Sequence, residues 1–215
     1  MSVPDERFSN FDGVMTSLDD VRSVIGEAPP TVLAKVIDHL DSICRDFIAR
    51  SPFVIIASAN SAGQLDVSPK GDPAGFVRVL DEKYLAIPDR PGNRRVDTFT
   101  NLLENPRVGL IFLVPGKGET LRVSGEARIV RDLALRESMA VQGHTPELAL
   151  VVYVEQAFVH CPKCVVRSKL WQSEGWMDPT GLARIDEAMI QHARLKMTRE
   201  ELKAYSDNAG ITRLY

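Results

Sequence analysis

The sequence predicts a mainly β fold with flanking helices, in the α+β class: a small antiparallel barrel of about six strands. Three observations predict it. Strand-like runs in the middle of the chain are joined by tight turns, which favours antiparallel pairing. Thr120–Val130 alternates, with Leu121, Val123, Ala127 and Ile129 facing one way and Arg122, Ser124, Glu126 and Arg128 the other. Short helical patterns lie between and outside these runs, without the regular strand–helix repeat of a doubly wound sheet. Half-apolar strands in this number close most economically into a barrel, which removes exposed edges.

Each element has its local reason. Ser17 with Asp20 three residues on marks a helix start. Pro29-Pro30-Thr31 opens a longer helical pattern whose apolar residues Leu33, Val36, Ile37, Leu40, Ile43 and Phe47 share one face, ended by Pro52. Phe53–Ser58 is a β-branched run, Asn60-Ser61-Ala62-Gly63 a turn, and Leu65–Ser68 the returning strand. Gly75–Leu80 and Tyr84–Pro88 form a hairpin around Asp81-Glu82-Lys83. Val96, Phe99, Leu102 and Leu103 are spaced for a helix that Asn105-Pro106 ends, and Val108–Val114 reads as a buried strand. After Thr120–Val130 come a helix over Asp132–Val141, a strand over Leu148–His160 and a helix or tight turn over Pro162–Leu170. The stretch from about Leu182 to Asn208 is helical and charged, with Thr198-Arg199-Glu200-Glu201 as a capping box. The expected organisation is a helical segment over 1–50, a barrel domain over 51–171 and a helical extension over 172–215.

Composition narrows the function classes. The 215 residues carry 26 Lys+Arg against 29 Asp+Glu, a formal charge of −3, so no positive surplus exists to track nucleic-acid phosphates. No apolar run approaches the ~20 residues that span a bilayer. The start, MSVPDERFSNFDG, is polar and acidic rather than a signal peptide, and the expected location is cytoplasmic with no membrane partner. Cys44, Cys161 and Cys164 are too few for a disulfide framework. Cys161-Pro-Lys-Cys164 has the spacing of a dithiol or half a zinc site, but no second pair exists and the four histidines are scattered. It is read as two cysteines where a strand meets a helix, and no metal is expected.

The chain lacks GxSxG, HExxH and Walker motifs, and Gly116-Lys117-Gly118 sits in a turn between strands. Three other stretches could carry chemistry. In Asp89-Arg90-Pro91-Gly92-Asn93-Arg94-Arg95-Val96-Asp97 a strand ends and a helix begins, with Asn93 as its expected N-cap. Arg94 and Arg95 then fall in the first turn, the wrong sign for a helix N-terminus unless an anion docks there. The competing reading is a solvated arginine pair compensated by Asp97. Near it in role, Ser68-Pro69-Lys70-Gly71 adds a hydroxyl and a second cation at a strand end. Lys163, Arg167 and Trp171, each four residues apart, would form a cationic and aromatic stripe, either a solvated face or the lip of an anionic aromatic cofactor.

These stretches, with NLLENPRVGLIF over Asn101–Phe112 and Thr120-Leu121-Arg122-Val123-Ser124-Gly125, resemble the pyridoxamine 5′-phosphate oxidase superfamily, and within it the FMN-dependent subfamily of unassigned substrate. The resemblance covers roughly Pro29 to Trp171. It implies an FMN-binding split barrel working as a homodimer with flavin at the subunit interface. By position it makes Asn93, Arg94 and Arg95 the phosphate-binding group, with Lys70 joining them or facing the ring. It brings Ser68 and Thr120 to the ribityl chain or ring edge, and makes Lys163, Arg167 and Trp171 the wall given by the second subunit. The Arg-x-His pair that true pyridoxamine phosphate oxidases carry near the C-terminus is missing, so vitamin B6 oxidation is not the expected activity. The expected function is flavin-dependent redox chemistry on a small molecule, with a nicotinamide nucleotide as a candidate partner. The alternative is a non-catalytic flavin or haem protein for storage or sensing on the same fold.

Overall fold

A computed structural model describes residues 6–215. Residues 1–5, part of the polar start read above, lie outside the described residues. The chain forms two compact units, one ending at Val36 and the other running Ile37–Tyr215. The first carries α1 (Leu18–Ile25) and α2 (Pro30–Leu33). Ser17 caps α1 by accepting from the Asp20 N–H at 3.1 Å.

The second unit departs at once from the expected long helix. Its pattern from Pro30 to Phe47 is interrupted, and only α3 (Ser42–Arg50) continues as helix. The intervening backbone bonds elsewhere: Ile37 exchanges hydrogen bonds with Ala157 at 3.0 and 2.7 Å, and Leu40 N–H donates to Glu82 O at 2.7 Å. Asp41 restarts the helix by accepting from Cys44 N–H at 2.8 Å. Of the apolar residues expected on one face, Leu40 is buried and Ile37 and Phe47 pack partly buried against the core, whereas Leu33, Val36 and Ile43 are exposed. Restarting the helix at Ser42 turns Cys44 and Ile48 inward in place of Ile43.

The strands are β1 (Phe53–Ala59), β2 (Leu65–Gly71), β3 (Arg78–Val79), β4 (Tyr84–Pro88), β5 (Arg107–Leu113), β6 (Thr120–Val130) and β7 (Ala149–His160). They form one antiparallel sheet in the order β2-β1-β5-β6-β7-β4-β3. With its flanking helices this is the expected fold class and is consistent with a split barrel. Two details differ: the sheet has seven strands, and it is open, with β2 and β3 as its edges. Each of the seven corresponds to a strand-like run of the sequence, but the run expected over Gly75–Leu80 contributes only Arg78–Val79, its first half turning through a bond from Phe76 N–H to Pro73 O.

Helices α4 (Asp97–Glu104), α5 (Leu133–Ser138), α6 (Lys163–Ser168), α7 (Ile185–His192) and α8 (Arg199–Asn208) flank the sheet. The expected capping box starts α8, with Thr198 N–H donating to Glu201 at 2.8 Å and Glu201 N–H to Thr198 Oγ1 at 3.2 Å. Val54, Ile56, Leu110, Phe112, Leu121 and Val123 line the buried face of the sheet together with residues of α3. No helix among the described residues is long and apolar enough to cross a membrane.

The cysteines divide by environment. Burial pushes the Cys44 thiol up to about 12, whereas Cys161 and Cys164 are exposed. Since the thiolate is the reactive form, native protein should titrate two of its three thiols with an aromatic disulfide reagent and the third only in denaturant. Three fast-reacting thiols would contradict this packing.

Candidate cofactor site

The site begins with the two-residue period of β2. Asp66, Ser68 and Lys70 pair with Ser58, Ile56 and Val54, so they project from the face that carries the core. Leu65, Val67 and Pro69 take the opposite face. Because β2 is an edge strand, α4 and the loop 89–96 can stand over it. Thr98 Oγ1 donates to Asp66 Oδ2 at 2.6 Å, and Asn101 Nδ2 to Ser58 Oγ at 3.1 Å, pinning α4 in place. Between these elements lies a cleft of about 480 Å³, lined by Ser68, Lys70, Asn93, Arg94 and Arg95 among others. That volume falls in the range of small-molecule sites.

The basic loop differs from the expected helix start. Helix α4 begins at Asp97, and its N-cap is Val96 in the left-handed region, φ 55°. Arg94 is also left-handed, φ 59°. Asn93 is not the N-cap; its Oδ1 accepts from Arg95 N–H at 3.0 Å inside the loop. Left-handed backbone costs an ordinary residue about 1–2 kcal/mol. Arg94 and Arg95 therefore precede the helix instead of filling its first turn, and Asp97 gives that turn its favourable negative charge.

This changes which cations are free. Arg95 Nε lies 2.6 Å from Asp97 Oδ2, so the compensating carboxylate named above is engaged. Arg90 Nε lies 2.5 Å from Asp72 Oδ2, with the Asp72 side chain 1% exposed. Among the described residues neither Lys70 nor Arg94 has an ion-pair partner, and both line the cleft. Asp89 lines it too; burial pushes its carboxyl up, and nearby Lys70 partly opposes that shift. The arrangement can hold one anionic group between Lys70 and Arg94, with Ser68 Oγ as a neutral hydrogen-bonding group alongside.

Residues 40–161, more than half of the chain, match the pyridoxamine 5′-phosphate oxidase family. The chain belongs to that family. Among solved structures it is similar to HupZ of Group A Streptococcus, at 20% identity over 55% of this chain and 92% of that one, TM-score 0.45. It is also similar to a protein of Clostridium acetobutylicum related to general stress protein 26, at 18% identity over 54% and 84%, TM-score 0.39. A third is an F420 reductase, at 16% identity over 53% and 94%, TM-score 0.41. No curated protein matches the chain in sequence.

In this member of the pyridoxamine 5′-phosphate oxidase family the sequence-predicted site residues fall into two groups. Ser68, Lys70, Asn93, Arg94 and Arg95 share the cleft; Thr120, Lys163, Arg167 and Trp171 do not line it. Thr120 is buried at the start of β6, opposite His160. It precedes Leu121, whose row runs through Phe112 and Val54 to Lys70, so the strand period gives Thr120 the other face. Lys163 and Arg167 are exposed on α6. Trp171 is not on their stripe: α6 ends at Ser168 with Lys169 left-handed, and the Trp171 indole N–H donates to Lys117 O at 2.8 Å. Sequence reasoning missed Asp72, Arg90, Gly210 and Tyr215. Asp72 and Arg90 lay within quoted stretches as unpaired letters. Tyr215 belongs to the ending Thr212-Arg213-Leu214-Tyr215, whose likeness to the family's C-terminus is too short to use, and its phenol donates to Asp72 Oδ1 across a sequence separation of 143 residues.

Proposed function

We propose that this family member is an FMN-binding flavoprotein that carries out redox chemistry on a small organic molecule, as a homodimer with flavin at the subunit boundary. The observation that supports it most is the pair of cations without an ion-pair partner among the described residues, Lys70 and Arg94, on one cleft of suitable volume. A dianionic phosphate ester suits them better than a carboxylate would, since it offers three acceptor oxygens to two cations and the loop. Lys70 and Arg94 would hold the phosphate, with Arg95 drawn from Asp97 as a further contact and Asn93 keeping the loop's shape. Ser68, one β2 period from Lys70, would face the ribityl chain. Bound FMN supplies hydride or electron exchange. The chain's part is to fix the ester tail, orient the cofactor and exclude water around it.

The dimer is supported by the outer face of the sheet. Phe53, Val67 and Ile111 are 39, 64 and 37% exposed there, with Pro69, Ile55 and Ile111 in one cross-strand row. An apolar face of this kind is what a second copy would cover. Thr120 shares that face, and Lys163, Arg167 and Trp171 lie outside the cleft of their own chain. That placement suits a wall donated to the cofactor of the other subunit. Exposed free thiols at Cys161 and Cys164 suit a reducing cytoplasm.

Native mass spectrometry of the purified protein tests the whole reading. The expected result is two 23.8 kDa chains carrying FMN, from a yellow solution that NAD(P)H bleaches. A haem Soret band, or a flavin without its phosphate, would overturn the assignment.

A further inference from the structure

Three chain segments that bound the cleft meet at one partly buried cluster. Asp72 stands just beyond the end of β2. Its Oδ2 accepts from Arg90 Nε at 2.5 Å and its Oδ1 from the Tyr215 hydroxyl at 2.7 Å. Arg90 Nη2 donates to Met139 O at 2.8 Å, and its guanidinium carbon sits 5.7 Å from the centre of the Tyr215 ring. Its Nη1 is buried with no hydrogen-bond partner among the described residues, although Arg90 lines the cleft. An arginine cannot shed that unmet donor by deprotonation. A buried donor left unmet is costly, so such a position calls for an explanation.

The C-terminal segment supplies the remaining contacts. Beyond α8 the chain turns back at Gly210, φ 69°, with its N–H donating to Asp207 O at 3.0 Å. Thr212 Oγ1 donates to Asp207 Oδ1 at 2.7 Å and fixes the turn. Gly210 lines the cleft, and a Cβ built on it would lie 3.7 Å from Arg94 Nη2. The same short segment therefore lies beside Arg94 at one end and packs against Arg90 at the other. Hydrogen bonding to the Asp72 carboxylate pushes the Tyr215 phenol up, keeping it a donor.

We propose that Arg90 is a further anion-binding residue of the cleft, and that the segment 209–215, through Tyr215, is a positioning element that sets the aim of Arg90 and Arg94. This rests on the reading of the cleft as a phosphate site. It adds that the preference for a phosphorylated ligand depends on a part of the chain outside the family match, which ends at residue 161.

The test uses full-length protein freed of ligand, titrated with FMN, riboflavin and inorganic pyrophosphate. Tyr215→Phe keeps the ring over Arg90 and removes the hydroxyl; Tyr215→Ala removes both. The expected result is FMN affinity lowered about fivefold by Phe and about thirtyfold by Ala, with riboflavin affinity unchanged, as suits one and then two lost contacts. A general loosening of the fold would move riboflavin as well. An FMN-to-riboflavin ratio within twofold of wild type in both variants would overturn the proposal, and so would tighter FMN binding, which would make the segment a cover. If wild type itself prefers neither flavin, the flavin reading fails separately. Pyrophosphate then decides: binding weakened in Tyr215→Ala upholds the segment's role, and unchanged or undetectable binding overturns it.

Discussion

Arg94→Ala lowers FMN affinity by roughly 30- to 150-fold and leaves riboflavin affinity within twofold. The size follows from a charge-assisted contact of about 2–3 kcal/mol, at 1.4 kcal/mol for each tenfold. The expected selectivity follows from place: among the described residues Arg94 has no carboxylate partner, so its interaction would be available to a phosphate, the group riboflavin lacks. Arg95→Ala gives a smaller loss, about tenfold, because Arg95 must leave Asp97 to reach the ester. Calorimetric titration of both variants with both flavins measures this directly. Equal losses for FMN and riboflavin would show that Arg94 only shapes the loop.

Gly125→Ala has the largest effect expected on stability. In β6 the pairing with β7 shifts at Ser124/Gly125, a bulge that leaves Glu155 as the extra residue. A Cβ on Gly125 would come within 1.9 Å of Tyr153 O and 3.1 Å of Glu155 N, both backbone atoms. β6 is hydrogen-bonded to β5 on its other side, so it cannot move away without breaking that ladder. The expected loss is about 4 kcal/mol or more, a fall of roughly 8–16 °C in Tm for a domain of this size. Gly109→Ala is the control: its Cβ would meet nothing within 4 Å, and it should cost under about 1 kcal/mol. Urea unfolding of the two variants side by side checks the contrast; similar midpoints would refute the bulge geometry.

The parts of this fold legible in the sequence were those governed by short-range rules. The alternation over Thr120–Val130 and the capping box at Thr198 each depend on neighbours within a few residues, and the structure has both. The break before α3 was not legible, because the partners of that backbone, Ala157 and Glu82, come from distant strands. The candidate site divides in the same way. Ser68 could be placed by strand period, but Lys70 could not, since the expected strand stopped at Ser68 whereas β2 runs on through Pro69 to Gly71. The helix start at Arg94 could not, since two non-glycine residues in left-handed backbone shift it to Asp97. The Arg90–Asp72–Tyr215 cluster is a purely tertiary arrangement, and nothing in the local pattern of any of its three segments announces it.

The open edge of the sheet has a consequence for how these molecules behave when crowded. A bare outer strand invites another chain to add to it, the first step toward fibrils. In β2 that row is spoiled by Pro69, which has no N–H to offer, and by Asp66 and Lys70 at alternate positions. At the far edge β3 is two residues long, too short a template to extend. Growth by endless strand addition is thus discouraged on both sides of the sheet.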